Sequence, residues 1–209
     1  MADGRESVWM VVMEILKNLD GYKILLVSHS PRRQSLLRSL GMAFSVGKSA
    51  VDESYPDDMD VMTIPVYLSQ QKARHCVPAA DAQTLVIAAD TIVCLDNVVF
   101  GKPSSPAEAK EMLRRLSGKM HQVITGVTLL TAKEEKSFSV TSDVTFAPLS
   151  EDEIEYYVTR YAPLDKAGAY GVQEWIGMIG VKSISGSYYN VMGLPMHRLY
   201  QEMKQLVPL

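Results

Sequence analysis

Ile24-Leu25-Leu26-Val27-Ser28-His29-Ser30-Pro31-Arg32-Arg33 changes structural character within a few residues. The apolar run Ile24–Val27 reads as a buried strand, and Leu36, Leu37 and Leu40 share one helical face. Ser30 is a good N-cap and Pro31 suits the first helical turn. The spacing therefore predicts a strand over Lys23–Val27 and a helix over Pro31–Leu40. Arg32 and Arg33 fall where the helix dipole is already positive, which costs about a few tenths of a kcal/mol each. Two readings follow. Helix N–H groups and arginine forks together suit a phosphate, or the pair is simply solvated on a surface helix.

The rest of the chain continues the alternation. Helices are expected over Thr63–Cys76, from Ser105-Pro106-Ala107-Glu108 to near Gly118, after Ser150-Glu151-Asp152-Glu153, and from about Pro195 to Leu206. Strands are expected over Leu85–Ala89, Ile92–Leu95, His121–Leu130, Lys136–Phe146 and Gly177–Ile184, with a hairpin turn at Asp96-Asn97 and a loop over Gly186–Asn190. This mixture predicts an elongated α/β domain with a mixed sheet.

Of the 209 residues, 47% are apolar and 22% charged, with a net charge of −3. That is an ordinary globular composition without the basic excess of a duplex-binding surface. No apolar run approaches a membrane span. Cys76 and Cys94 follow no metal or redox spacing and read as buried thiols of a reducing compartment. Residues 1–20 read as an extension and 21–209 as a single domain. The apolar segment Val8–Met13 lacks the basic flank of a signal peptide, and Met13 is a second candidate start. Neither a P-loop, a G-x-G-x-x-G, a G-x-S-x-G nor an H-E-x-x-H occurs, which disfavours a serine-triad or zinc hydrolase.

Polar groups at element ends remain. Asp52 and Glu53 are adjacent acids, Lys72 sits on a helix with an apolar face, and Lys102 follows a hairpin strand. Asp90-Thr91 interrupts the run Leu85–Ala89 and Ile92-Val93. A turn or bulge would explain it; a site carboxylate at a strand end explains it better. The loop Asp165–Gln173 is rich in glycine and small residues, as a tight turn or a close backbone approach to a ligand requires.

Taken in order, Ser28–Arg33, Val51-Asp52-Glu53, Lys72-Ala73-Arg74, Ala89-Asp90-Thr91, Gly101-Lys102-Pro103, Leu116-Ser117-Gly118, Thr125-Gly126-Val127, Asp165–Gln173, Gly186-Ser187-Tyr188 and Asn190–Pro195 resemble the Maf family of nucleotide pyrophosphatases. The resemblance runs from Lys23 to about Leu206. It implies a two-lobed mixed sheet with flanking helices around a central cleft, related to inosine triphosphatases. It also implies a cytoplasmic homodimer without nucleic-acid or membrane partners, using magnesium or manganese, that splits a nucleoside triphosphate into monophosphate and pyrophosphate. A link to cell-division arrest comes with the family.

By the same resemblance, Asp90 is the proton acceptor, and Glu53 and Asp90 hold the metal. Lys72 and Lys102 complete the catalytic set, and Ser28 and Arg33 join them around the triphosphate. Arg32, Thr91 and Gln173 match the subfamily acting on dTTP and UTP; the 7-methyl-GTP subfamily tends to carry Trp, Gln and Glu there. Glutamine, both donor and acceptor, suits the imide edge of thymine or uracil. A modified nucleotide is the alternative substrate, and a nucleotide-binding regulator without turnover the alternative class. His29 stands where the family usually has a small residue, with a passive role expected, and Trp175 is expected either to stack on a base or to join the core or a dimer contact.

Overall fold

A computed structural model describes residues 16–48, 51, 53–76 and 83–206. The N-terminal segment 1–15 and Asp52, both named above, lie outside the described residues. After a short turn at Lys17–Leu19 come β1 (Lys23–Val27), α1 (Pro31–Ser39), β2 (Ser45–Gly47), α2 (Ile64–Cys76), β3 (Thr84–Leu95) and β4 (Val98–Phe100). They are followed by α3 (Pro106–Leu116), β5 (Met120–Leu130), β6 (Glu135–Phe146), α4 (Glu151–Tyr161), α5 (Trp175–Gly180), β7 (Val181–Ser185), α6 (Tyr188–Met192) and α7 (Met196–Met203).

The sheet has seven strands in the order β2-β1-β3-β5-β6-β7, with β4 also on β3. β1 is parallel to β2 and to the first half of β3, while the pairs among β3 to β7 are antiparallel. The long β3 is the organising element. One edge pairs with β5 along Val86–Cys94. The other pairs with β1 up to Ala88 and with β4 from Val93 onward. Between those two partners the edge of β3 opens, and this break is the base of a cleft. Chains that leave a sheet on either side of such a break create a crevice, the usual place for ligands in α/β folds.

Strand alternation divides the core. Leu85, Ile87 and Ala89 pack with α1 and α7 in one cluster, while Val93 and Leu95 pack with α3, α4 and Tyr170 in another. On the opposite face α2 covers both halves, through Ala73 and Cys76 against Ala88 and through Ile64 and Leu68 against Ile92. α2 can lie this close because β5 has Gly126 beneath its start. A Cβ there would sit 2.2 Å from the Pro65 carbonyl carbon. The packed chain reaches back across residue 20: Leu16 and Leu19 are fully buried, and Asn18 donates to the Met203 and Leu206 carbonyls.

Three expectations need correction. Asp90-Thr91 does not end or bend a strand; β3 runs unbroken through it. The strand expected over Gly177–Ile184 is helix as far as Gly180. A side chain at Gly177 would meet the Val172 carbonyl at 1.9 Å, so glycine lets the chain coil back there. The loop expected at Gly186–Asn190 holds the start of α6, which Ser187 caps by accepting from the Asn190 N–H and which Gly193 ends at φ 109°. Among the described residues, no helix is long and apolar enough to cross a membrane.

Candidate active site

The cleft at the break in β3 has a volume of about 390 Å³. Ser28, His29, Arg32, Arg33, Glu53, Lys72, Asp90, Thr91, Lys102 and Gln173 all line it. Each strand face supplies one end, because Asp90 and Thr91 are neighbours and must point oppositely.

The Asp90 end is a row of alternating charges. Lys72, carried in from α2, lies 2.5 Å from Asp90 Oδ1 and 2.8 Å from Glu53 Oε1. Lys102, just beyond β4, lies 2.9 Å from Glu53 Oε2. Asp90 and Lys72 are buried, whereas the Glu53 and Lys102 side chains are about half exposed. Burial alone would raise the Glu53 carboxyl, but the hydrogen bonds from Lys72 and Lys102 outweigh it and bring the group down to about 2. Ser28 is buried in the cleft wall; its Oγ accepts from the Ser30 N–H at 3.2 Å and faces Arg33 Nη1 at 3.5 Å.

The Thr91 end is mostly neutral. Arg33 donates through Nε to the Gly193 carbonyl (2.7 Å), through Nη1 to the Ala89 carbonyl (2.8 Å) and through Nη2 to Thr91 Oγ1 (2.9 Å). Ala89 lies where the edge of β3 has lost β1 as a partner, so the guanidinium satisfies a carbonyl that the sheet leaves open. Burial lowers the pKa of this arginine, partly offset by the Asp90 charge; an arginine remains cationic nonetheless. The two arginines that suggested a phosphate therefore both have acceptors within the protein. Arg32 reaches across the cleft to Asp165 Oδ2 at 3.2 Å.

Gln173 is exposed at the rim on a loop that is well braced. Lys166, itself buried, pairs with Asp165 at 2.6 Å and with Glu174 at 3.1 Å. Tyr157 donates to Glu174 and accepts from the Gly171 N–H at 3.0 Å. These bracing groups were not singled out from the sequence, where Asp165–Gln173 was notable only for its glycine and small residues. His29 is exposed at the mouth. Trp175 packs edge-on against Tyr156, at 4.9 Å, beside the second core cluster, and is not among the residues lining the cleft.

Among the described residues no three His, Cys, Asp or Glu side chains converge as a protein-only metal cage. The site does hold two carboxylates, Glu53 and Asp90, that meet on one cation, the Lys72 ammonium. Magnesium on a nucleotide commonly uses one or two carboxylates together with phosphate oxygens. The donor set fits such an ion.

A mixed sheet broken at one edge, with a cation-rich row at one end of the break and a hydrogen-bonding wall at the other, defines the class of α/β proteins shaped for an anionic ligand with a polar head. The chain belongs to the Maf family: the model of the Maf-like protein family matches residues 23–206. The dTTP/UTP pyrophosphatase of Bacteroides thetaiotaomicron is 56% identical over 193 residues, covering 92% of this chain and 100% of that protein. The protein of the same name from Phocaeicola vulgatus is 53% identical over the same shares of both chains. Among solved structures, the Ham1 protein of Staphylococcus aureus matches 86% of this chain and 99% of its own, with 17% identity and a TM-score of 0.47.

Proposed function

We propose that this protein hydrolyses dTTP and UTP to the nucleoside monophosphate and pyrophosphate. The observation that carries the reading is the continuous row Asp90–Lys72–Glu53–Lys102 at one end of a cleft whose other end holds Arg32, Thr91 and Gln173. Curated relatives named for this activity, alike over nearly the whole chain, support it.

In this mechanism Lys72 fixes Asp90 through Oδ1, leaving Oδ2 to accept a proton from water. The water oxygen bonds to the α-phosphorus, the α–β bridging bond breaks, and pyrophosphate departs with the bond electrons. Lys72 and Lys102 offset the charge that grows on the leaving group. Ser28, which already accepts from Ser30 N–H, donates its own proton to a phosphate oxygen. Arg33 acts by position, tying α1 to β3 and Gly193. Glu53 and Asp90 would hold magnesium or manganese, which neutralises polyphosphate charge when bound. Arg32, Thr91 and Gln173 meet the base.

Pyrophosphate release from dTTP, UTP, CTP, 5-methyl-UTP and 7-methyl-GTP tests the reading. dTTP and UTP are expected to lead, and Asp90→Asn to lower kcat by about 10³-fold with the fold retained. Full activity in that variant, or a preference for 7-methyl-GTP, would sink the assignment.

A further inference from the structure

Behind Thr91 lies a chain of hydroxyls that the proposed chemistry does not use. Thr91 Oγ1 and Thr125 Oγ1 are 2.9 Å apart, on residues directly paired across β3 and β5. Thr125 Oγ1 is in turn 3.1 Å from the Asn190 backbone carbonyl. Thr125 and Asn190 have no solvent exposure, so nothing in the cleft touches them. Asn190 is held by its own side chain, which donates to the Val123 carbonyl and to Ser142 Oγ, both at 3.0 Å.

The two ends of this chain fix its direction. Arg33 can only donate, and it donates into Thr91. A backbone carbonyl can only accept, so the Thr125 proton goes to Asn190. Thr125 then has no proton for Thr91, and the Thr91 proton must go to Thr125. Reversing this bond would set the Thr125 and Asn190 oxygens 3.1 Å apart with no proton between them and leave that carbonyl with the Gly193 N–H alone, at 2.9 Å, a repulsion that the low local dielectric strengthens. Thr91 therefore meets the cleft with a lone pair and no proton to give.

We infer that Thr125, with the Asn190 carbonyl behind it, is a specificity-determining residue. It sets Thr91 as an obligate acceptor, so a nucleotide base must present an N–H donor to this wall. The inference rests on the reading of Thr91 as a base contact. Uracil and thymine offer N3–H, and cytosine offers its amino group. Pyrimidin-2-one, with the same ring and no added bulk, carries only acceptors on that edge.

The test compares kcat/KM for UTP with that for pyrimidin-2-one ribonucleoside triphosphate. The wild-type protein should favour UTP by about tenfold or more, the scale set by one mismatched hydrogen bond in a partly buried site. Thr125→Val is isosteric but cannot accept, so it releases the Thr91 proton. The ratio should then fall by about fivefold or more through a relative gain on the donorless substrate. Thr125→Ser should keep the wild-type ratio. A merely structural lesion would lower both substrates together.

Folded Thr125→Val with an unchanged ratio overturns the inference. So does a wild-type protein that turns over both substrates equally, a comparison that needs no variant to fold. If Thr125→Val fails to fold, Thr91→Val decides: loss of the UTP preference supports the inference and its retention overturns it. Absence of turnover with every triphosphate overturns the hydrolase reading, and this inference with it.

Discussion

Asp90 and Thr91 are consecutive residues whose surroundings are opposites. Asp90 looks toward α2 into a row of formal charges, with two lysines and a second carboxylate. Thr91 looks toward α1 and α6 into hydroxyls and carbonyls, with one arginine spread over backbone oxygens. Each residue also splits a core: Asp90 lies between Ala88 and Ile92 on one face, Thr91 between Ala89 and Val93 on the other. A polar belt thus crosses the sheet at the break in its edge. The contrast teaches that strand alternation alone sets a charged environment and a neutral hydrogen-bonding one a single residue apart.

The charged face should break first. Lys72→Met leaves buried Asp90 without its cation and Glu53 with only Lys102. Removing one partner of a buried ion pair costs about 3–5 kcal/mol, and on the proposed mechanism loss of this charge should lower kcat by at least about 10²-fold. Urea melts and pyrophosphate release report the two effects separately. Adding Asp90→Asn to this variant should recover part of the stability and none of the activity. Recovery of activity would show that Lys72 serves only to neutralise Asp90.

The Thr91 face should respond through stability more than through rate. Arg33→Lys keeps the charge but replaces a planar fork by one ammonium, which cannot reach Gly193, Ala89 and Thr91 together. The carbonyls left open should cost about 3 kcal/mol in total, read as a lower urea midpoint. kcat on UTP should fall less than in Lys72→Met. A larger loss of kcat than of stability would place Arg33 on the polyphosphate itself.

Much of this arrangement could be read from local signals, and the failures share one cause. Ser30 does cap α1, with Pro31 as its first residue, and Ser150 with Glu153 closes a full capping box on α4. Those features are written within a few residues of each other. Asp90 was legible as a carboxylate out of place in an apolar run, but the continuity of β3 was not. Whether a strand breaks at a charge depends on what answers it, here Lys72 on α2, brought close by the absent side chain of Gly126. The dipole argument likewise called for an anion near Arg32 and Arg33. What meets Arg33 lies 56, 58 and 160 residues further along the chain, beyond any local pattern. The helix at Trp175–Gly180 escaped for a similar reason, since Gly177 is explained by the Val172 carbonyl against it.

The charged row and the core behind the cleft should part company in acid. Glu53 stays ionised down to about 2 because Lys72 and Lys102 hold it, so this carboxylate keeps its charge through any ordinary assay pH. Behind the cleft, Tyr170 lines its wall and lies 2.8 Å from His121 Nε2. His121 is buried edge-on between Phe146 and Tyr170, and burial lowers its pKa from the usual 6.5 to about 4. Between those values the unfolded chain binds a proton that the folded protein refuses, so stability falls as pH falls through this window. Going from pH 7.5 to pH 5 should remove about 2 kcal/mol through this one group. His121→Gln, which keeps a polar partner for the Tyr170 hydroxyl but does not titrate, should flatten the slope of unfolding free energy against pH by that amount. An unchanged slope would mean that the acid sensitivity arises elsewhere than at His121.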